Sequence, residues 1–433
     1  MDVTDPASMG AERSASALSS VDPMHPSDLS IFDFTYDLPE HRIAQHPLTE
    51  RDASKLLVFR DGVITDRNFR DLPDELPQGA LVVLNDTRVV HARIGFQRST
   101  GAALECMVLS PEAQRPIEQA LLDRNASRWW CFMGNAKRWK GEELVHVNGG
   151  RTLRAERIEL RNGEHLIEFR WDDGSPFIEQ LDHFGSVPLP PYMRREAQGE
   201  DDARYNTVFA QHNGSVAAPT ASLHFSAEVL DRMKSKGVST ARLTLHVGAG
   251  TFLPVKSTTM ADHAMHSEQV RISLATLVAL LAQKAKGPII PVGTTALRTL
   301  ESIYWHGVML MQGRAGEELD IDQWEPYSHA GTELPTASDA LRIVIDQLRV
   351  RTSNNDASDN TVLSGTTKLL IAPGYTFRMA DALVTNFHQP QSTLLLLVAA
   401  FIGPDWRRVY EHAMNSGYRF LSYGDGSLLF PGT

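Results

Sequence analysis

A block of short strand-like segments constrains the fold more than any other feature of the chain. Between residues 93 and 171 the apolar residues cluster in short runs with Gly, Asn or Asp between most of them: residues 103–109, 129–133, 144–147, 153–160 and 165–171. This stretch shows no helical periodicity. Short strands at such spacing predict a small β-barrel or sandwich. The proline-rich residues 188–192 close the block, because proline cannot donate to a strand ladder.

Helix and strand signals alternate in the rest of the chain. Apolar runs predict buried strands over residues 81–85, 242–247, 289–292, 368–372 and 382–385. Ser226, Ser273 and Ser392 are typical N-caps of helices, and further helices are expected to begin at Thr294 or Thr295 and at Pro404. This alternation predicts a layered α/β domain.

These patterns divide the chain of 433 residues into an α/β domain and an inserted module. We expect a discontinuous α/β domain over residues 30–92 and 190–433, with an all-β domain over residues 93–189 inserted into it. Residues 1–29 are mostly small or polar and predict a disordered tail. Residues 306–363 contain one amphipathic helix and polar loops, and predict an insertion within the α/β domain.

Charge and cysteine content restrict the partners and the compartment. The 42 Lys and Arg against 53 Asp and Glu give a net charge of -11, which excludes binding of nucleic acid through bulk charge but permits a local basic patch. Cys106 and Cys131 are too few for a disulfide framework and suit a reducing compartment. No basic start with an apolar core marks the N-terminus, and no apolar run spans a bilayer. We therefore expect a cytoplasmic protein without membrane contact.

Several short motifs follow one another in a fixed order along the chain: AQHP at 44–47, RD at 51–52, LNDTR at 84–88, PLPPY at 188–192, AAPTASLHF at 217–225, TLHVGAGTF at 244–252, HAMHSE at 263–268, VGTT at 292–295, VTNFH at 384–388 and LSYGD at 421–425. Together they resemble the S-adenosylmethionine:tRNA ribosyltransferase-isomerase family of queuosine synthesis, over nearly everything from residue 31 to residue 430. The sequence departs from that pattern at Ser222, where glycine is usual, and at Leu421, where an aromatic residue is usual.

The resemblance implies both a fold and a reaction. The implied fold is a three-layer α/β/α domain with an inserted β-barrel, which agrees with the pattern above. The implied enzyme transfers and isomerises the ribosyl part of S-adenosylmethionine onto 7-aminomethyl-7-deazaguanine at the tRNA wobble position. The products are epoxyqueuosine-tRNA, adenine and methionine. S-adenosylmethionine is then a consumed substrate, no prosthetic group or metal is needed, and we expect the protein to act as a monomer.

Such chemistry needs groups that transfer protons. Adenine leaves more easily when protonated, the sulfonium acidifies adjacent C–H bonds, and the aminomethyl group must lose its charge before it attacks. Histidines and carboxylates with a pKa near neutrality suit these steps. The candidate catalytic residues are His224, His246, Glu268, His388 and Asp86, and we expect their loops to converge on one cleft.

Each candidate also has a structural interpretation. A histidine in these motifs could be a satisfied structural residue, and Asp86 could belong to an exposed turn. His263, His266 and Glu268 could instead form a metal site, although no second cluster of ligands accompanies them.

Backbone and polar groups near the motifs are candidates for substrate binding. Gly248, Gly250, Thr251 and Phe252 follow a strand and could let backbone N–H groups approach a ligand, although a tight turn explains the glycines as well. Gly293, Thr294 and Thr295 combine strand, turn and helix N-terminus, which suits a carboxylate or hydroxyls, or an ordinary N-cap. The remaining candidates are Thr220, Asn386, Tyr423 and Asp425.

A basic and aromatic stretch is the candidate tRNA surface. Residues 128–140 contain four basic residues, three tryptophans and no acid. Basic residues contact phosphates, and aromatic faces stack on unpaired bases. The candidate tRNA-binding residues are Arg51, Arg88, Lys137, Arg138, Lys140 and Arg194. A solvated loop of the β module is the alternative.

Two other functions fit parts of the sequence. The first is an S-adenosylmethionine-dependent RNA methyltransferase, against which the absence of a glycine-rich loop after a first strand counts. The second is a non-catalytic tRNA-binding protein, which leaves the His and Asp motifs unexplained. Reaction products separate the three functions.

Overall fold

The computed structural model describes residues 25–432 except residues 99, 253, 254, 256, 330 and 355–360. The fold is mixed α/β, with the strands arranged in four sheets among the described residues. Within the same residues, no helix is both long and apolar enough to cross a membrane.

The strands, numbered in chain order, are β1 Lys55–Arg60, β2 Val63–Asn68, β3 Leu81–Asn85, β4 Thr87–Val89, β5 Arg93–Gln97, β6 Ala103–Pro111, β7 Ala126–Gly134, β8 Leu144–Asn148, β9 Arg151–Arg161, β10 Glu164–Arg170, β11 Gly185–Ser186, β12 His212–Ser215, β13 Ser239–Leu245, β14 Glu268–Ser273, β15 Ile289–Pro291, β16 Leu319–Ile321, β17 Val362–Thr367, β18 Leu383–Asn386 and β19 Gly426–Leu429. The helices are α1 Leu72–Glu75, α2 Ile117–Ala120, α3 Phe177–Phe184, α4 Gly199–Arg204, α5 Ala227–Ser235, α6 Leu274–Lys284, α7 Thr294–Met311, α8 Ala337–Asn354, α9 Thr393–Ile402 and α10 Trp406–Asn415.

Two mixed sheets form the α/β part of the molecule. The six-stranded sheet has the order β15-β3-β13-β14-β17-β16, and the four-stranded sheet has the order β18-β19-β1-β2. A bridge between Val292 and Val384 connects them. Alternate residues of β3 enter different cores: Leu81 and Val83 pack into one and Val82 and Leu84 into the other. Because both faces of this strand are covered, its sequence is continuously apolar.

The seven-stranded sheet occupies the middle of the chain and is antiparallel throughout, with the order β11-β5-β6-β7-β10-β9-β8. It curls, so that β5 also contacts β8. Its side chains and those of α3 form a separate hydrophobic core that includes Trp129, Phe169 and Phe177. Trp129 and Trp130, on alternate sides of β7, are both buried, and Arg161 lies over the Trp130 ring.

Local signals predicted several helices correctly. Ser226, Ser273 and Ser392 are the N-caps of α5, α6 and α9, and each side-chain oxygen accepts a backbone N–H of the first turn. The predicted strand over residues 368–372 is wrong. The Leu369 carbonyl accepts a hydrogen bond from Arg298, and the Leu370 carbonyl accepts one from Tyr327. Side-chain donors and single backbone hydrogen bonds to Ile321 and Gln323 therefore take the place of a strand ladder in this segment.

Parts of the predicted tail and of the predicted insertion pack against the rest of the protein. Residues 1–24 of the tail lie outside the described residues, but Pro26–Asp28 forms a 3-10 turn and His25 contacts the rings of Trp324 and Tyr327. A disordered tail would therefore have to end before His25. Residues 306–363 contain the end of α7, then β16, α8 and the start of β17, and many of their apolar side chains belong to the main core.

Candidate active site

Three adjoining cavities contain six of the predicted site residues: Thr220, Gly248, Gly250, Glu268, Asn386 and His388. The Glu268 cavity encloses about 270 Å³ and is lined by His263, His266, Glu268, Arg298 and the start of α9, among others. The Asn386 cleft, about 60 Å³, is lined by Thr220, Asn386 and His388 and shares Ser392 and Leu394 with the Glu268 cavity. The Trp130 groove, about 590 Å³, contains Trp130, Phe132 and Arg161 and shares Gly250 and His266 with the Glu268 cavity.

Glu268 begins β14 and is anchored at both oxygens. One oxygen pairs with Arg298 of α7, and the other accepts the backbone N–H of Gly248 at 3.3 Å. The Arg298 Nε also donates to the Leu369 carbonyl at 3.0 Å. Because both charges are buried, each needs the other, and the pair fixes the wall of the cavity.

Gly250 allows His266 to line the cavity. It lies in the 3-10 turn Ala249–Phe252, and a Cβ at this position would lie 2.1 Å from His266 Cδ2. The absence of a side chain therefore makes room for the imidazole. Gly248 has open space around its Cα, and its role is the N–H bond to Glu268. Thr251 and Phe252 belong to the same turn, and their predicted substrate contacts stay predictions.

His224 and His388 lie on either side of Asn386. His224 Nδ1 lies 2.9 Å from Ser54 Oγ, and His224 Nε2 lies 3.2 Å from Asn386 Nδ2. His388 Nε2 lies 2.9 Å from Thr385 Oγ1. Among the described residues, none donates a hydrogen bond to the buried Asn386 Oδ1. This oxygen is therefore available to a ligand N–H group.

Burial controls the protonation of these histidines. It lowers the pKa of His224 and of His388 to about 3, and the positive charges of Arg419 and Arg51 add to the shift at His224. The same cause lowers the pKa of His246 to about 3. These values differ from the near-neutral pKa expected for proton transfer, because a buried imidazolium is poorly solvated. All three rings are neutral at pH 7.

Asp86 and His246 belong to a separate group, the Asp86 cluster, which is formed by Asp86, Glu118, His212, His246 and Arg271. His212 Nδ1 lies 3.0 Å from Glu118 Oε1 and its Nε2 lies 4.0 Å from Asp86 Oδ2. His246 Nδ1 lies 2.9 Å from Thr87 Oγ1. Burial raises the pKa of Asp86, opposed by a hydrogen bond from Thr244 and by the charges of His212 and Arg242.

The structure thus places His388 in the cleft that adjoins the Glu268 cavity. His224 contacts Asn386 but lines a separate small cavity with Arg51 and Tyr423, and His246 lies elsewhere. His246 lines a pocket of about 430 Å³ with Glu118 and Arg271, and this pocket meets the Trp130 groove only at Ala113 and Gln114. Glu118 comes from α2, which follows β6 of the seven-stranded sheet, so the Asp86 cluster joins that part of the chain to β13 and β14.

The polar residues at the start of α7 are buried in the fold. Gly293 has a φ of 87°, which favours glycine, and Thr294 begins the helix. The Thr295 hydroxyl accepts a hydrogen bond from Asn85 at 3.4 Å. Ser222 causes no strain where glycine is usual, because it is not among the residues with positive φ.

Three predicted residues make hydrogen bonds that hold the fold. Arg51 donates to the carbonyls of Ala203, Asn206 and Leu223, among others. Asp425 accepts the backbone N–H groups of Lys55 and Arg419, and Tyr423 donates to the buried Asp201. These bonds account for all three side chains without a substrate or a phosphate.

The basic candidates are mostly exposed. Lys137 and Arg138 lie in the 3-10 turn Ala136–Arg138 after β7, and Lys140 follows it, all with exposed side chains. Arg88 is exposed on β4, and Arg194 pairs with the equally exposed Glu40 at 2.5 Å.

No group of three or more His, Cys, Asp or Glu side chains among the described residues is placed to hold a metal ion, so His263, His266 and Glu268 do not form the alternative metal site.

Sequence reasoning missed Arg298 and most of the Asp86 cluster. Arg298 lies one helical turn after Thr294, so the 3.6-residue period places it near the same end of α7. This spacing was the one signal that could have found it. Glu118, His212 and Arg271 come from three distant segments, and only the tertiary fold brings them together.

A comparison with known families identifies the chain's relatives. The profile described as queuosine biosynthesis protein matches residues 31–429. The chain belongs to this family. The matched range contains every residue of the three cavities, and it begins after residues 1–30.

Individual members of the family are similar to this chain along almost their whole length. The S-adenosylmethionine:tRNA ribosyltransferase-isomerase of Azoarcus sp. (strain BH72) is 41% identical over 410 residues, covering 93% of this chain and 97% of that protein. The protein of the same name from Ruegeria pomeroyi is 39% identical, covering 93% of this chain and 100% of the other. A crystal structure of S-adenosylmethionine tRNA ribosyltransferase from Thermotoga maritima is 26% identical and covers 92% of this chain and 99% of that one, with a TM-score of 0.43.

Proposed function

We propose that the protein is an S-adenosylmethionine:tRNA ribosyltransferase-isomerase. It transfers and isomerises the ribosyl part of S-adenosylmethionine onto 7-aminomethyl-7-deazaguanine at the tRNA wobble position, and it releases adenine and methionine. One observation carries the proposal: relatives of that name match about 93% of the chain at 38–41% identity. The motifs that carry the resemblance also supply most residues of the Asn386 cleft and, with His263, His266 and Glu268, part of the Glu268 cavity.

The two sites offer groups that suit the chemistry. Glu268 supplies a carboxylate beside His266, and we assign it as the base that removes a proton next to the sulfonium. Asn386 offers its Oδ1 to an N–H of the adenine or of the aminomethyl group. His224 and His388 are neutral, so they act by hydrogen bonding and orient Asn386 and the 383–388 segment. Asp86 and His246 position the seven-stranded sheet against β13 and β14.

The Trp130 groove and the basic turn are the proposed tRNA surface. Phe132 and the Arg161 guanidinium, which lies over the buried Trp130 ring, offer planar faces on which splayed bases can stack, next to His266 at the mouth of the Glu268 cavity. Lys137, Arg138 and Lys140 would contact phosphates, with Arg88 and Arg194 as further candidates. Glu112, Glu159 and Glu164 also line the groove, so bases and not phosphates suit it.

The finer architecture is part of the same proposal. A three-layer α/β/α domain over residues 30–92 and 190–433 would hold the cavities, with a β-barrel domain over residues 93–189 inserted and residues 306–363 as a further insertion. The two cores that share β3 support the layering. We further propose that the protein is a cytoplasmic monomer with no cofactor besides its consumed substrate.

The decisive experiment incubates the protein with S-adenosylmethionine and tRNA that carries the aminomethyl base, followed by mass analysis of the nucleosides. The proposal predicts the epoxy-cyclopentyl nucleoside together with free adenine and methionine. The same tRNA with guanine at the wobble position is the matched control and should give no product. A folded protein that leaves the tRNA unchanged, beside a working control enzyme, would defeat the assignment.

A further inference from the structure

The first turn of α9 presents backbone donors to the Glu268 cavity. Ser392 caps the helix, and its carbonyl and hydroxyl take the N–H groups of Leu395 and Leu396. No described residue accepts a hydrogen bond from the N–H of Thr393 or Leu394, and both residues line the cavity. Unpaired N–H groups and the positive end of the helix dipole favour an anion at this position.

A second observation at the same cavity points to an anion. Arg298 is 6% exposed and lines the cavity, yet its buried Nη2 has no hydrogen-bond partner among the described residues. Its Nε and Nη1 are used by Leu369 and Glu268. An unpartnered N–H of a buried guanidinium is costly, and a carboxylate is the acceptor that fits its planar geometry best.

The other charged groups of the cavity leave room for this anion. Glu268 is paired with Arg298, and Asp262 is exposed at the rim, where Thr259 donates to it at 2.8 Å. His263 is the other imidazole of the cavity besides His266. Its pKa is lowered, mainly by burial and in addition by the charge of His266. The pocket interior is therefore not occupied by a free negative charge that would repel a carboxylate.

We propose that the Glu268 cavity holds the α-carboxylate of the methionyl part of S-adenosylmethionine, between Arg298 Nη2 and the first N–H groups of α9. This inference rests on the proposed function and assigns one end of its substrate. The carboxylate would complete the hydrogen bonds of Arg298 and fix the sulfonium near Glu268. After the reaction the same contacts would hold the product methionine, which would then leave from this end of the site.

The test compares S-adenosylmethionine with decarboxylated S-adenosylmethionine, which keeps the sulfonium and ribose but lacks the carboxylate. We expect kcat/KM of the natural protein to favour S-adenosylmethionine by about 10- to 100-fold, as for a lost charge-assisted bond. In Arg298→Met this preference should collapse towards one, and Arg298→Lys should keep part of it. Arg342→Met on the exposed side of α8 is the matched control and should keep the full preference.

Glu268→Gln separates direct binding from positioning. It removes the partner of Arg298 and is expected to lower turnover of both substrates while the preference persists. If Glu268→Gln abolishes the preference as fully as Arg298→Met does, Arg298 acts through Glu268 and the inference is wrong. It is also wrong if Arg298→Met keeps the full preference.

Product inhibition provides a test without any variant, in case Arg298→Met does not fold. Methionine should compete with S-adenosylmethionine at a concentration at least about tenfold lower than 3-(methylthio)propylamine, its decarboxylated counterpart. Equal inhibition by the two would overturn the carboxylate site. A protein that turns over neither substrate would instead contradict the proposed function, so the two failures are distinguishable.

Discussion

At the scale of single residues, burial determines what the polar groups can do. Asn386 and Arg298 each keep one unused polar atom inside the protein, whereas Asp425 and Arg51 use theirs on backbone groups. Buried polar atoms are usually paired, so an unpaired atom of a residue that also lines a cavity, as in Asn386 and Arg298, marks a place where a ligand is expected. Exposure alone does not distinguish residues with an unused polar atom from those without one, because Asn386, Arg298 and Asp425 are all buried. Only Arg51 is partly exposed.

The buried histidines make stability depend on pH. A pKa of about 3 for His388 lies below the value near 6.5 of an unfolded chain, so the folded protein binds fewer protons between these values. The free energy of unfolding is then fully present above about pH 6.5 and falls as the pH is lowered towards 3. Urea unfolding at pH 7, 6 and 5 should show this loss. His388→Asn should reduce its slope by up to about 1.4 kcal/mol per pH unit.

The exposed His41 supplies the control for this pH dependence. His41→Asn should keep the slope of the natural protein, because its ring lies in solvent. A His388→Asn protein with an unchanged slope would show that the His388 imidazole is protonated as readily in the folded state as in the unfolded chain.

Gly250 provides the sharpest steric prediction. In Gly250→Ala the new methyl group would overlap the His266 ring, so the ring or the turn must move. Because small displacements in a reacting site are expensive, turnover of S-adenosylmethionine should fall at least about tenfold. Gly316→Ala, where no atom lies within 4 Å, is the control for a harmless glycine substitution. Full activity of Gly250→Ala would remove His266 from the site.

At the scale of elements, the helix caps could be predicted from the sequence and the cavity walls could not. The caps of α5, α6 and α9 depend on residues within one turn, which is why Ser226, Ser273 and Ser392 were sufficient signals. Residues 368–372 resemble a strand because they are mostly apolar and buried. Two of their carbonyls accept hydrogen bonds from side chains of α7 and the 324–328 region, and two of their N–H groups bond to the carbonyls of residues 321 and 323. Such long-range partners leave no local trace.

Some residues of the candidate site could also be predicted from the sequence, and others could not. The sequence motifs singled out His224, Glu268, Asn386 and His388, and the last two also lie at the end of an apolar strand, where polar residues are informative. Arg298 lies inside a long helix, where an arginine usually faces solvent, so only the fold reveals that it is buried beside Glu268. Only the folded structure shows, likewise, that His246 lies in a pocket separate from the Glu268 cavity.

Helix α7 contains a histidine whose removal should cost little. His306 is fully buried, and neither ring nitrogen makes a hydrogen bond of normal geometry with a described residue. Burial lowers its pKa to about 4, opposed by the neighbouring Gln347. Replacing an unsatisfied polar group with an apolar one of similar size removes a desolvation penalty. His306→Leu should therefore leave the free energy of unfolding unchanged or raise it by up to about 1 kcal/mol.

Ser302 on the same helix is the matched comparison. Its hydroxyl donates to the Arg298 carbonyl at 2.7 Å and lies 2.7 Å from Thr367 Oγ1, so Ser302→Ala should destabilise the protein by about 1 kcal/mol. Thermal or urea unfolding of both variants checks the order. His306→Leu being the less stable of the two would mean that the imidazole has a partner after all.

At the scale of the whole molecule, a net charge of -11 must coexist with binding of a polyanion. The seven-stranded sheet carries the exposed basic turn, and the Asp86 cluster connects its α2 segment to the strands that carry Glu268. We therefore expect a local tRNA footprint that is strongly dependent on salt.

The basic turn can be tested by a triple substitution. Lys137→Ala, Arg138→Ala and Lys140→Ala together should weaken tRNA binding and lower the slope of log Kd against log salt by about 2 to 3. A double variant with Arg342→Ala and Arg349→Ala on exposed α8 is the control for loss of charge elsewhere. Unchanged tRNA affinity of the triple variant at moderate salt would exclude the turn from the footprint.

The central claim is that this fold transfers the ribosyl group of S-adenosylmethionine to a tRNA base, and a single stoichiometric measurement tests it most directly. Adenine, methionine and the modified nucleoside are quantified in one reaction with S-adenosylmethionine and tRNA bearing the aminomethyl base. We predict equal amounts of all three, and a strong reduction with Glu268→Gln. Formation of S-adenosylhomocysteine with a methylated tRNA, or tRNA binding without any of these products, would contradict the account.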